Sequence, residues 1–120
     1  MAPTITTSQD LISHFSGYVS IIGLATTTAA DLAPYFAPAI QLDGKTLTVE
    51  EFRAIIPPNT EITAERFAAD VENRILAMRL RVHVPATGFR MIEHVMYELD
   101  EQWRTKNIER VYAVESDEGN

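Results

Sequence analysis

The sequence predicts an α+β fold, in which helices come first and then pack on one face of a mostly antiparallel sheet. Two observations predict this order. Up to about residue 58, apolar side chains recur at helical spacing behind capping residues, and after it they alternate with polar ones as in strands. One domain is expected to cover residues 1–120, with an ordered core over about 8–114 and a polar tail at 116–120.

Three helices are predicted in the N-terminal half. Thr7 or Ser8 can cap a first helix over about 8–24, whose apolar residues return every three or four positions. A second, short helix is expected over 29–36, stopped by a proline that follows it. A capping box that begins at Thr48 starts the third helix, which two consecutive prolines end.

Five strands are predicted, joined by turns rich in Asp, Asn, Pro and Gly. One of the long strands alternates apolar residues with two arginines and a histidine, so one of its faces is apolar and the other basic. The last strand alternates without a clear polarity, and either face can point inward. The predicted strands cover residues 39–42, 62–70, 74–84, 89–101 and 106–114.

The strand over 89–101 carries the feature that points to function. A carboxylate, Glu93, stands in a row of side chains that is otherwise apolar. A buried carboxylate must be paired, hydrogen-bonded or kept neutral, and each of these states is useful in chemistry. The other members of the row are Phe89, Met91, Val95, Tyr97 and Leu99.

Composition narrows the class of function. The formal charge of −7, with ten scattered basic residues, argues against a nucleic-acid or anionic-membrane partner. No apolar run is long enough to span a membrane, and the absence of cysteine excludes thiolate chemistry and disulfides. We therefore expect a cytoplasmic protein whose partner is a neutral small molecule or another protein.

The order of elements, with the segments YFA, LDG and EHVMYELD followed by NIERVYAV, resembles the nuclear transport factor two-like superfamily. The resemblance extends from Ser8 to Val114. Its members form a curved sheet that wraps around helices, a cone with a pocket at its centre. Within the superfamily, the sequence is most similar to the SnoaL-like polyketide cyclases and the ketosteroid isomerases.

The resemblance to ketosteroid isomerases implies three catalytic residues. Tyr18, in GYVSII, matches the tyrosine that binds the oxyanion; Asp43, in IQLDG, matches the general base; and Glu93, in IEHV, matches a protonated acid. Together they imply a cofactor-independent isomerase, cyclase or dehydratase acting on a polycyclic or polyketide-like substrate. The chemistry implies no cofactor and no metal, and the histidines lack the spacing of metal ligands.

A hydrophobic ligand in such a cone would contact apolar walls, which would raise the pKa of Glu93 and keep it neutral. Trp103, in a polar turn at the sheet edge, is expected to cover the cone or to contact a partner. The residues predicted to bind substrate are Phe15, Met78, Leu80, Val82, Met91, Tyr97 and Trp103.

Each proposed catalytic residue also has a structural interpretation. Tyr18 can be a core tyrosine with one hydrogen bond, and Asp43 can simply form a turn before Gly44. Glu93 can be half of a buried ion pair with an arginine. The corresponding alternative function is a non-catalytic ligand-binding or dimerisation module of the same fold.

The outer face of the sheet predicts a homodimer. It mixes charged side chains with exposed apolar ones, as sheet-to-sheet interfaces do. We expect a dimer of about twice 13.4 kDa. The residues predicted on this face are Arg79, Arg81, His83, Ile92, His94, Met96 and Glu98.

Overall fold

The computed structural model describes residues 2–115 and confirms the α+β fold, with three helices and a curved, unclosed sheet of six strands. The polar tail predicted at 116–120 lies outside the described residues. In chain order the elements are α1 (Ser8–Ile21), α2 (Ala29–Leu32), β1 (Phe36–Leu42), β2 (Lys45–Leu47), α3 (Val49–Ala54), β3 (Glu61–Asp70), β4 (Ile75–Val84), β5 (Phe89–Leu99) and β6 (Thr105–Val114).

The strands lie in the order β2-β1-β6-β5-β4-β3, and every neighbouring pair is antiparallel except β1 and β6, which are parallel. The register shifts between Ala64 and Arg66 in β3 and between Glu98 and Leu99 in β5. Such irregularities bend strands, and here they accompany the curvature of the sheet. Glu93 lies in the middle of the sheet, paired with Leu80 of β4 and Tyr112 of β6.

Each helix begins with a threonine that caps it reciprocally. The side chain of Thr7 accepts from the backbone N–H of Asp10, whose carboxylate accepts from the backbone N–H of Thr7. Thr28 with Asp31, and Thr48 with Glu51, repeat this capping box. The caps fix where each helix starts, and the start of α1 matches the prediction.

The first helix ends at Ile21, three residues earlier than predicted. A Cβ atom added to Gly23 would stand only 1.8 Å from the carbonyl oxygen of Thr60. The chain therefore passes against the segment that leads into β3 at this point, which only glycine permits. This close approach is a tertiary contact, and the local pattern of apolar residues does not contain it.

The predicted second helix over 29–36 is also too long, because β1 begins at Phe36. The backbone N–H of Thr105 donates to the carbonyl of Tyr35 at 2.7 Å, which brings this segment to β6. Pro38, expected to precede the strand, lies inside it. It occupies the interval between Phe36 and Gln41 where the β1–β6 register shifts, so its missing N–H costs no ladder hydrogen bond.

Strand β2 was not predicted. Its three residues are exposed or half-buried, so they show no apolar alternation. The hairpin forms because Asp43 and Gly44 both adopt positive φ angles, 52° and 79°, the conformation of a tight two-residue turn.

The side chain of Arg53, in α3, is held by backbone carbonyl groups. Its guanidinium donates to the carbonyl oxygens of Leu24 at 2.9 Å, Ile56 at 3.0 Å and Thr27 at 3.2 Å. The side chain thus joins α3 to the loop that follows α1, and it satisfies carbonyl groups that no helix or strand pairs.

Candidate functional site

A cavity of about 560 Å³ lies between the inner face of the sheet, α1 and the segment that follows α3. Its wall is mostly apolar: Leu80 and Val82 come from β4, and Ile108 comes from β6. Of the described residues that line it, Glu93 and Arg110 carry charge. A concave apolar space with a few convergent polar groups is the usual form of a small-molecule site.

Two tyrosines supply hydroxyl groups to this cavity. Tyr18 of α1 and Tyr97 of β5 are hydrogen-bonded to each other, with 2.9 Å between their oxygens, and both are buried. Burial raises the pKa of both phenols, and Glu93 adds to the effect. Both tyrosines therefore remain protonated at neutral pH. One hydroxyl hydrogen is used between the two rings, and the other remains to be donated to a ligand.

Glu93 is paired with an arginine, the structural alternative to a free pocket acid. Its Oε2 accepts from Nη1 of Arg110 at 3.1 Å. The same guanidinium donates to Oδ2 of Asp43 from Nη2 at 2.6 Å and from Nε at 3.1 Å. One arginine therefore joins a buried carboxylate, whose side chain is 10% exposed, to an exposed one, at 52%.

Opposing influences act on the carboxyl group of Glu93. Burial raises the pKa of Glu93 and the Asp43 carboxylate acts in the same direction, whereas the contact with Arg110 lowers it. The net direction is upward, because burial is the largest effect. The pKa of Arg110 is raised, chiefly by its hydrogen bond to Asp43, so the guanidinium stays charged. The carboxylate of Glu93 is therefore a stronger base than that of an ordinary glutamate.

Asp43, predicted as the general base, is not among the residues that line the cavity. It occupies the β1–β2 turn, and its Oδ2 is held by Arg110. Its connection to the cavity is therefore indirect, through the guanidinium.

Four of the residues predicted to bind substrate line the cavity: Leu80, Val82, Met91 and Tyr97. The other three do not line it. Phe15 is fully buried against the rings of Tyr18 and Tyr97, so it supports the tyrosine pair from behind. Met78 is buried in the core on the inner face of β4. Trp103 packs beneath the guanidinium of Arg74, 4.0 Å away, in the turn between β5 and β6, and does not cover the cavity.

Sequence reasoning missed Arg110, because its strand alternates without a clear polarity. In the structure Ile108 is buried, and Arg110 shares its face. The row that contains Ile108 is the inner one, and only the pairing of β6 with its neighbouring strands shows this. The segment after α3, with Ile55 and Pro58, was likewise not expected to line the site.

The outer face of the sheet is partly neutralised within the chain. Glu65 of β3 accepts from Arg79 at 2.9 Å and from Arg81 at 2.8 Å, and His83 contacts Glu61 at 2.8 Å. Apolar side chains remain exposed beside them, with Met96 at 40% and Val111 at 70%.

The part of the chain over residues 2–115 has no helix that is both long and apolar enough to cross a membrane. It also contains no group of three or more His, Cys, Asp or Glu side chains arranged to hold a metal ion.

Comparisons with known proteins define the fold. No protein-family model matches the chain, and no curated protein matches it. A solved structure that does match is the crystal structure of an NTF-2-like protein of unknown function from Silicibacter pomeroyi DSS-3, with a TM-score of 0.55 and 16% sequence identity. The match covers 92% of this chain and 100% of that one. The chain therefore has a nuclear transport factor two-like fold, which confirms the fold that the sequence predicted.

Proposed function

We propose that this protein binds a hydrophobic small molecule in the cavity and acts on it by cofactor-independent acid–base chemistry, as an isomerase, cyclase or dehydratase. One observation carries the proposal. The Tyr18–Tyr97 hydroxyl pair and the Glu93–Arg110 pair line the same apolar cavity. Burying polar groups costs free energy unless they are hydrogen-bonded, and here each pair supplies its own partner. Acid–base catalysis uses both a hydrogen-bond donor and a proton acceptor, and the two pairs provide them.

In the proposed reaction, Glu93 takes a proton from a carbon activated by a carbonyl group and returns it elsewhere on the substrate. Because its pKa is raised, the Glu93 carboxylate accepts a proton more strongly than an ordinary glutamate does. The tyrosine pair donates a hydrogen bond to the oxygen on which negative charge develops. Asp43 acts by holding Arg110 in place, which replaces the role of general base that we expected for it.

The substrate is proposed to be polycyclic or polyketide-like. Glu93 and Tyr97 lie on one face of β5 with Val95 between them, so their Cα atoms are roughly 13 Å apart along the strand. A rigid, conjugated ring system can contact both Glu93 and Tyr97 at once. Its conjugation can delocalise the negative charge that forms near Glu93 toward the tyrosine hydroxyls. An acyclic ketone of a few carbon atoms would contact one group or the other.

A non-catalytic ligand-binding module is the second candidate, and one specific observation favours it. Glu93 is joined to Arg110 at 3.1 Å. Under this alternative, the ion pair has a structural role and simply fixes the arrangement of the pocket. Under this alternative the tyrosine pair would orient a ligand and would not promote any reaction.

Deuterium exchange into tetralone, a bicyclic ketone, separates the two candidates. We expect the protein to accelerate exchange next to the carbonyl by about a hundredfold over buffer, measured by proton NMR. Glu93→Leu should abolish the acceleration, whereas the matched change Glu109→Leu, on the outer face of β6, should preserve it. Tetralone that binds but does not exchange faster would support the binding module instead.

We also propose that the protein is a homodimer formed through the outer sheet face. Exposed Met96 and Val111 lie there beside a broad groove. The ion pairs that Glu65 makes with Arg79 and Arg81 reduce the charge that a second sheet would have to desolvate. The outer face therefore carries less net charge than its arginines alone indicate.

A further inference from the structure

The Glu93–Arg110 pair leaves hydrogen-bonding capacity unused on both partners. Within residues 2–115, Glu93 accepts through Oε2, and its Oε1 accepts no hydrogen bond. Arg110 donates from Nε, Nη1 and Nη2, but Nη1 and Nη2 each carry a second hydrogen that no described group receives. Both side chains line the cavity. The pair thus offers an acceptor and donors side by side to a molecule inside it.

The charges around this pair favour a neutral ligand. Arg110 already faces the carboxylates of Glu93 and Asp43, so a carboxylate on the ligand would add a third negative group to one positive one. An ammonium group bound to Glu93 would lie close to the guanidinium and be repelled by it. The remaining wall is apolar, and it would penalise an ion of either sign.

We infer that the site recognises a neutral head group in which an acceptor oxygen stands beside an N–H or O–H donor, attached to an apolar body. Carboxamides, lactams and hydroxy-ketones have this arrangement. The oxygen accepts from Arg110, and the adjacent donor gives its hydrogen to Oε1 of Glu93. The inference rests on the proposed function, because it requires that an apolar molecule enter this cavity.

The volume of the cavity limits the size of the apolar part of the ligand. Pockets of 300–1,000 Å³ enclose most of a drug-sized molecule, and about 560 Å³ falls inside this range. A fused ring system therefore fits as the apolar part. Its far end would lie toward the Tyr18–Tyr97 pair when its head group is at Glu93.

A series of naphthalene probes tests the inference by calorimetry on the unaltered protein. The members are naphthylacetamide, its N,N-dimethyl amide, naphthylacetate, naphthylethylamine and ethylnaphthalene. We expect the acetamide to bind most tightly, about tenfold more tightly than the dimethyl amide, which keeps the acceptor and loses the donor. Glu93→Leu should remove this preference, and the matched Glu109→Leu should retain it.

The results that would contradict the inference differ from those that would contradict the proposed function. Equal binding of the two amides, or tighter binding of the acetate or the amine, would overturn the inference and leave the cavity as a ligand site. Failure of every probe to bind, ethylnaphthalene included, would contradict the proposed function itself. The comparison of probes on the unaltered protein decides the matter even if Glu93→Leu does not fold.

Discussion

Glu93 is the central residue of the site, and two opposing influences act on the pKa of its carboxyl group. It is paired with Arg110, yet burial raises its pKa. Because Arg110 keeps Asp43 as a second partner, removing the Glu93 charge does not strand a buried arginine. The cost of neutralising Glu93 should therefore fall well below the 3–5 kcal/mol of a typical broken buried pair.

The first prediction concerns the pH dependence of stability. Since the folded pKa of Glu93 lies above its unfolded value of 4.5, folding favours the protonated form. Stability from this residue is greatest below the unfolded pKa and is lost as pH rises toward the folded pKa. The unaltered protein should lose stability relative to Glu93→Gln over this window, by about 1.4 kcal/mol for each unit of separation between the two values.

Urea unfolding of both proteins between pH 4 and pH 8, in steps of about half a unit, measures this difference. The comparison isolates Glu93, because the carboxylates with lowered pKa, such as Glu65 and Asp100, are common to both proteins and lose their stabilising effect on acidification. A difference that stays constant with pH would show that Glu93 titrates as it does in the unfolded chain.

The second prediction concerns the tyrosine pair. Tyr18→Phe or Tyr97→Phe leaves the partner hydroxyl buried without its hydrogen bond, which should cost about 1–3 kcal/mol in either case. The double variant leaves neither hydroxyl unpaired, so its cost should be clearly less than the sum of the single ones. Thermal or urea unfolding of the three variants measures the coupling. Strictly additive costs would mean that the two hydroxyls act independently.

Individual side chains show why some of the site was predictable and some was not. The parity of β5 places Glu93 on the inner face whatever surrounds it, since side chains alternate strictly along a strand. Arg110 lies in a strand whose two rows are equally polar, so its direction depends on the neighbouring strand. That Arg110 reaches both Glu93 and Asp43 is a tertiary fact, because Asp43 comes from a turn distant in sequence.

At the scale of elements, the long strands and the helix starts were predictable, and the helix ends were not. Starts depend on capping residues that are local in sequence, such as Thr7 and Thr48. The end of a helix depends on the tertiary contacts of the residues that follow it. The close passage of Gly23 past Thr60 and the pairing of Phe36 with Thr105 both shorten helices that their own residues would extend.

The third prediction tests this close passage. Gly23→Ala would place its Cβ 1.8 Å from the Thr60 carbonyl oxygen, which the backbone cannot relieve without moving the end of α1. We expect a loss of at least about 3 kcal/mol in the free energy of unfolding, at the upper end for overpacking. Gly44→Asn is the control: it also changes a glycine, but nothing lies within 4 Å and asparagine tolerates positive φ.

The control variant should stay within about 1 kcal/mol of the parent, because the turn at Gly44 keeps its conformation. A Gly23→Ala variant as stable as Gly44→Asn would show that the loop after α1 can shift freely. In that case the contact between α1 and the start of β3 would not position Tyr18 in the cavity.

At the scale of the whole molecule, the fourth prediction concerns assembly. Light scattering at micromolar concentrations should give about twice 13.4 kDa. Replacing Met96 and Val111 together by aspartate puts two charges on the apolar part of the outer face, so the variant should be monomeric with an unchanged circular dichroism spectrum. Gln9→Asp, on the exposed side of α1, should remain dimeric.

A monomeric parent protein at these concentrations would contradict the dimer directly. The cavity opens on the inner side of the sheet and the groove lies on the outer side. The monomeric variant should therefore keep its ligand binding, which separates assembly from function.

The parallel pairing of β1 with β6 has a consequence for synthesis on the ribosome. One long edge of β1 stays unpaired until the last strand has left the exit tunnel, since Phe36 pairs with Thr105 and Leu42 with Ile108. Pairings so distant in sequence form slowly, because the intervening chain must first be brought together. The nascent chain can thus pack α1 against β3, and pair β3, β4 and β5, before the sheet is complete. Arg110 is synthesised 17 residues after Glu93, so Glu93 stands in an apolar surface without its cation until β6 has emerged.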